Sequence, residues 1–190
     1  MTRQRLADES GLMLIELLVV CVLLGVVMAG LVNVFVSGTR AASDTDGRFQ
    51  AQQDARLALS SLRYDVGFAC SATWVSTNTT QVSLVLPDPN TQSCAGSTNQ
   101  VTWCAASANT QPPYGLYRQT GGTCSPSTGV KRAGSLQSNA VFPTYACTAG
   151  SGVRAQLGVS MLVNANFATS SIPYKLTDTI TLRNATIGVC

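Results

Sequence analysis

Between Leu12 and Val36 the chain is apolar at almost every position and carries one charged side chain, the carboxylate of Glu16. At a helical rise of about 1.5 Å per residue this run reaches about 37 Å, enough to cross a bilayer with some tilt. A carboxylate in such a run costs roughly 2.5–3.5 kcal/mol near the bilayer centre and less near an end, so an acid there is a functional candidate by default. A conventional signal peptide fits poorly, because its apolar core is only about 7–15 residues long and ends at a small-residue cleavage site. Lipid modification at Cys21 is excluded by Val19 and Val20 before it, and Arg3-Gln4-Arg5 is not a twin-arginine pair. A plain signal anchor, with Glu16 tolerated near the membrane surface, is the bland alternative.

Beyond the apolar run the composition changes. Charged residues make up only 11% of the chain, and histidine is absent. From residue 69 onward the basic side chains are Arg118, Lys131, Arg132, Arg154, Lys175 and Arg183, against Asp88 and Asp178, a net charge of +4. This sparse, Ser/Thr/Asn/Gly-rich region suits an extracellular surface and lacks the clustered Lys/Arg of a nucleic-acid face. Cys21 lies inside the apolar run and reads as a small packing residue. The other six cysteines, Cys70, Cys94, Cys104, Cys124, Cys147 and Cys190, form an even set beyond an export signal, which argues for disulfides in an oxidising compartment. Their connectivity is open by sequence alone, with Cys94–Cys104 the first guess. A zinc site would need closer ligand spacing, and the chain has no C-x-x-C pair and no histidine.

The stretch Gly11-Leu12-Met13-Leu14-Ile15-Glu16-Leu17-Leu18, followed by about twenty further apolar residues, resembles the processing site of type IV prepilins and type II secretion pseudopilins. The resemblance implies a leader over residues 1–11, cleavage after Gly11 by a prepilin peptidase, N-methylation of Leu12 and a role for Glu16 in subunit assembly. The family usually has Phe at the first mature position, and Leu12 departs from that. Arg3 and Arg5 support a cytoplasmic N-terminus, since orientation follows Lys/Arg. Residues 12–36 would be the transmembrane and filament-core helix, in which Gly25 and Gly30 could permit close helix approach, be points where the helix loosens on packing into a fibre, as the resemblance implies, or be ordinary glycines of a membrane helix.

Residues 37–68 contain no proline and should continue the helix outside the membrane. Phe49, Ala55, Leu59, Leu62 and Val66 mark its apolar face, and Asp54, Arg56, Arg63 and Asp65 are assigned to the opposite side. The segment Gln53 to Leu59, with Leu62-Arg63-Tyr64-Asp65 after it, resembles the helix end of PilW-like and J-type minor pilins. Gly67 is expected to help end the helix.

From residue 72 the period becomes two. Strands are expected over 72–76, 81–86, 101–104 and 116–119, with a turn at Asn78 and a break at Pro87-Asp88-Pro89-Asn90. Val153, Ala155, Leu157, Val159, Met161 and Val163 alternate strictly and predict the strongest strand, with Arg154, Gln156 and Ser160 facing out. Leu176, Ile180 and Leu182 repeat that rhythm, with Asp178 the exception. The ending Ile180 to Asn184, with Leu116-Tyr117-Arg118 earlier, again resembles W- and J-type minor pilins. A disulfide at Cys190 would pin the C-terminal stretch.

No catalytic constellation emerges. Serine or cysteine catalysis needs a base, most often histidine. Asp88 and Asp178 read as surface acids, Gly121-Gly122 as a turn, and Lys131-Arg132 as a solvated turn. Trp74, Trp103, Tyr114, Tyr117 and Tyr145 read as core or sheet aromatics. The expectation is therefore a non-enzyme without metal or cofactor. Its fold class is α+β, the type IV pilin-like lollipop: a long N-terminal helix packed on a β-rich, disulfide-stapled head over 69–190. The resemblance implies a minor pilin near a filament tip, with prepilin peptidase, other major and minor pilins, an inner-membrane assembly platform and membrane lipid as partners. A head ligand such as DNA or a surface has no support in the residues. A type II secretion pseudopilin is the near alternative, and a non-polymerising membrane-anchored adhesin the alternative of another class.

Overall fold

The computed structural model describes residues 9–75, 78–148, 152–166 and 173–185. One helix, α1 (Glu9–Phe68), precedes eight strands among the described residues. The chain divides into two compact units, 1–45 and 46–190.

In the first unit α1 is exposed on all sides from Leu14 to Val36. Its polar residues return their hydrogen bonds to the helix. Asn33 Nδ2 donates to the Ala29 carbonyl at 3.0 Å, and Ser37 Oγ donates to the Val34 carbonyl at 2.9 Å. Such back-bonding lets polar side chains sit in an apolar medium without an outside partner.

In the second unit the helix over 46–68 buries Ala51, Ala55, Ala58, Leu59, Leu62, Asp65 and Val66. These recur every three or four residues, which is one face of a 3.6-residue helix. Phe49, expected on that face, is 61% exposed and points away from it. The apolar face begins at Ala51. The helix ends at Phe68 as expected, and its last carbonyls are taken by the chain that returns after the final strand. Arg183 N–H donates to the Gly67 carbonyl at 3.2 Å and Asn184 Nδ2 to the Phe68 carbonyl at 3.1 Å. Orphan carbonyls at a helix end need such partners.

The strands are β1 (Ser71–Val75), β2 (Asn78–Val85), β3 (Gln100–Ala106), β4 (Tyr114–Thr120), β5 (Val130–Leu136), β6 (Thr144–Ala146), β7 (Gln156–Val163) and β8 (Tyr174–Thr181). All pairings are antiparallel. The strands β1 to β5 form a meander, β5 meets β7 at the single pair Leu136–Val163, and β7 also pairs with β6 and with β8. The seam is stitched by Gln137 N–H to the Leu162 carbonyl and Asn164 N–H to the Ser135 carbonyl, both 2.8 Å. Trp103, Phe142, Leu62, Leu84, Leu116, Leu157 and Met161 fill the core under the helix.

Two strands were not expected from sequence. β5 was expected as a turn around Lys131-Arg132, but both are exposed positions on a strand that buries Ala133 and Leu136. Ala133 and Leu136 are three apart, which no period-two pattern allows. A bulge reconciles them: Tyr114 to Leu116 on β4 spans two residues where Leu136 to Ala133 on β5 spans three, and Ser135 takes φ 59°. β6 is only three residues long and has no pattern to read. Asn78 opens β2 rather than forming the turn, and residues 76–77 lie outside the described residues. The strong alternating strand starts at Gln156, and Val153 is exposed.

Candidate functional site

The sequence places its functional residues at the start of α1. Gly11 and Leu12 lie within the helix, whose described part begins at Glu9; residues 1–8 lie outside the described residues. Glu16 is exposed one turn further on. An 18-residue stretch of this helix has a mean hydropathy of 2.8 and none of it is buried against the rest of the chain. It is long and apolar enough to cross a membrane by length and composition. Cys21, Gly25, Ala29, Asn33 and Ser37 follow one another at intervals of four, so these side chains form a ridge that winds about 40° around the helix at each step. Gly30 stands seven residues before Ser37, within about 20° of it around the axis. A Cβ added at Gly25 or Gly30 would meet open space, so neither glycine is required by contacts inside the chain.

The sequence-predicted cysteines are partly resolved into pairs. Cys70 bonds Cys94, and Cys104 bonds Cys124. The expected Cys94–Cys104 pair is therefore wrong. In the register of β2 and β3, Val85 pairs with Gln100 and Gln81 with Cys104. Cys70 N–H donates to the Val85 carbonyl, so Cys70 and its partner Cys94 lie at that end of the sheet. Cys104 lies four residues along β3, about 13 Å away at the rise of a strand, beyond the reach of a disulfide. Cys147 is also disulfide-bonded, and Cys190 lies outside the described residues. Cys21 is free.

The structure brings together a polar group that sequence reasoning missed. Asp65, assigned to the solvated side of the helix, is 4% exposed. Its Oδ2 accepts from Trp103 Nε1 at 2.8 Å and from Arg118 Nε at 2.7 Å, and its Oδ1 from Arg118 Nη2 at 3.2 Å. A buried carboxylate with three charge-assisted or neutral donors is satisfied rather than free to react. The signal was present in the spacing: Ala58, Leu62, Asp65 and Ala69 step by four, three and four along the buried face. The charge of Asp65 hid it.

The second acid of interest, Asp178, accepts from Arg63 Nε at 2.6 Å near the surface. That hydrogen bond raises the Arg63 guanidinium above its ordinary value, against a smaller opposing effect of burial. Arg63 and Asp178 stand in the wall of a cleft of about 530 Å³ between the last turns of α1 and β8, where the Tyr64 and Phe68 rings lie 4.7 Å apart. Asp88 Oδ1 accepts from the Asn90 and Thr91 amides at 2.7 and 3.1 Å, which ties the Pro-rich turn. Burial raises the Tyr145 phenol. Among the described residues no group of three His, Cys, Asp or Glu is placed to hold a metal ion.

No protein-family model, curated protein or solved structure matches the chain. The chain has an α+β, type IV pilin-like fold: a long apolar N-terminal helix whose C-terminal part packs on a disulfide-linked antiparallel sheet.

Proposed function

We propose that this chain is a minor subunit of a type IV pilus-like filament. In this reading a prepilin peptidase removes residues 1–11, Leu12 becomes the methylated first residue, and the head lies outside the cytoplasm while α1 sits in the inner membrane. The observation that carries the proposal is the exposure of the whole apolar stretch from Leu14 to Val36, with Glu16 its only charge. Such a surface needs lipid first and then the helices of other subunits. The small-residue stripe from Cys21 to Ser37 favours close packing of helices in an apolar medium.

The mechanism follows from charge. Cleavage after Gly11 leaves a cationic amine at Leu12, and Glu16 of an incoming subunit pairs with the amine of its neighbour. The pair offsets part of the cost of holding both charges in an apolar bundle, and a displaced subunit would leave one charge unpaired. The pairing thus sets axial register. The large, cysteine-rich head supports the reading of a low-abundance subunit near the tip, where it would contact other pilins and the assembly platform. The role is structural rather than enzymatic.

Mass spectrometry of the chain from its own cells tests processing. A chain beginning at Leu12, with or without a methyl group, supports the proposal; one beginning at Met1 favours a permanent anchor. Glu16→Ala should leave the subunit inserted but depleted from filaments. Unchanged surface display, with neither form found in filaments, would instead identify a non-polymerising anchored module.

A further inference from the structure

Among the described residues three strands end the sheet, and two of them are protected. β1 is five residues long and breaks register between Thr73 and Val75, and β6 is three residues long. Short length and irregularity are the usual means of preventing edge pairing. β8 has neither. It runs for eight residues in continuous register with β7, contains no proline, and pairs with no other strand among the described residues. Its inward carboxylate, Asp178, would deter a partner if unpaired, but Arg63 neutralises it at 2.6 Å.

The cleft beside it runs along this edge. Asp178, Thr179, Ile180 and Thr181 all line it. Consecutive strand residues point to opposite faces, so a space touched by all four follows the strand's edge rather than a face. The opposite wall carries Tyr64 and Phe68, which are 66% and 49% exposed. The space therefore offers, on one side, backbone groups that no other described strand pairs and, on the other, an aromatic surface.

We propose that the β8 edge is a docking site for an extended strand of a different protein, with alternating apolar and acidic side chains. Backbone pairing requires an extended polypeptide, and the aromatic wall requires apolar side chains. The acidic character follows from Arg183 in the cleft and Lys175 exposed on the strand. A second copy is a poor occupant: the head from residue 69 onward has six basic side chains against Asp88 and Asp178. Both acids are already engaged, Asp178 by Arg63 and Asp88 within its own turn. The inference concerns the head alone and does not rest on filament assembly.

The test uses the full chain in detergent micelles and a fluorescent alternating glutamate–valine octapeptide, followed by anisotropy. Binding should weaken about tenfold or more when alternate peptide amides are N-methylated, because backbone hydrogen bonds are lost without any change in the protein. The lysine–valine peptide should bind at least about tenfold more weakly than the acidic one, and Arg183→Glu should narrow that gap. Thr179→Pro, checked for intact disulfides and near-ultraviolet dichroism, should also abolish binding. Failure of the acidic peptide to bind, or equal binding of the N-methylated or lysine forms, overturns the proposal. Efficient self-cross-linking of a Thr179→Cys variant across two β8 edges would overturn it in favour of a second copy.

Discussion

Replacing Asp65 by alanine should be among the most damaging single changes in the head. The substitution strands three N–H donors on two side chains. The Trp103 indole N–H is held in a fully buried ring and loses its acceptor, Asp65 Oδ2; a buried unsatisfied donor costs about 1–3 kcal/mol. Arg118 loses both hydrogen bonds and its ion partner, but its side chain is 25% exposed and can hydrate in part. Breaking a buried pair costs about 3–5 kcal/mol, and partial hydration of Arg118 puts this case at the lower end, about 3–4 kcal/mol with the indole included. For a unit of this size the melting temperature should fall by roughly 6–16 °C. Asp65→Asn keeps a carbonyl acceptor for Trp103 and should lose about half as much. The assay is thermal unfolding of the full chain in detergent, followed by near-ultraviolet dichroism so that the head is monitored rather than the apolar helix. A double-mutant cycle with Arg118→Ala should show a coupling of at least about 1 kcal/mol. A drop below about 2 °C for Asp65→Ala, or a coupling near zero, would refute the view that this pair locks helix to sheet.

Other consequences are as direct. Non-reducing peptide mapping should recover Cys70–Cys94 and Cys104–Cys124, and Cys104→Ala with Cys124→Ala should cost about 3 kcal/mol from loop entropy, read as a lower urea midpoint. Arg63→Ala should cost under about 1 kcal/mol, because Arg63 is largely exposed. Asp178 raises the Arg63 value, so its contribution is complete below the ordinary guanidinium range and is lost only as pH rises through the raised value; melting temperatures of wild type and variant should differ by a constant amount between about pH 6 and 9. Gly129→Ala should destabilise by about 1–3 kcal/mol, since its Cβ would sit 2.8 Å from Tyr117 Cβ and 3.0 Å from the Ser125 carbonyl oxygen, neither of which is a flexible tip. A Gly129→Ala melting temperature equal to wild type would show that the 125–129 turn can shift.

Legibility in the sequence followed the range of the interactions. The helix end at Phe68, the Ala55–Val66 stripe and the β7 alternation are local patterns, and each is visible within about ten residues. β5 was illegible because a bulge changed its period, and the bulge exists only in its pairing with β4. Asp65 was misplaced because a charge is usually a surface marker, and only Trp103 and Arg118, far along the chain, make burial tolerable. The Cys94–Cys104 guess used nearness in sequence, whereas disulfides follow nearness in space.

The sequence by itself determined the exposed apolar helix with Glu16, the change of period near residue 70 and the even set of head cysteines. These are matters of composition and short-range periodicity, which a helix or strand expresses wherever it is packed. Only the tertiary structure decided which cysteines meet, that Asp65 anchors the helix to Trp103 and Arg118, and that β8 keeps a long, regular edge beside an aromatic cleft. Each of these depends on strand register and sheet order, which bring distant residues within a few ångströms and leave no periodic trace in the chain.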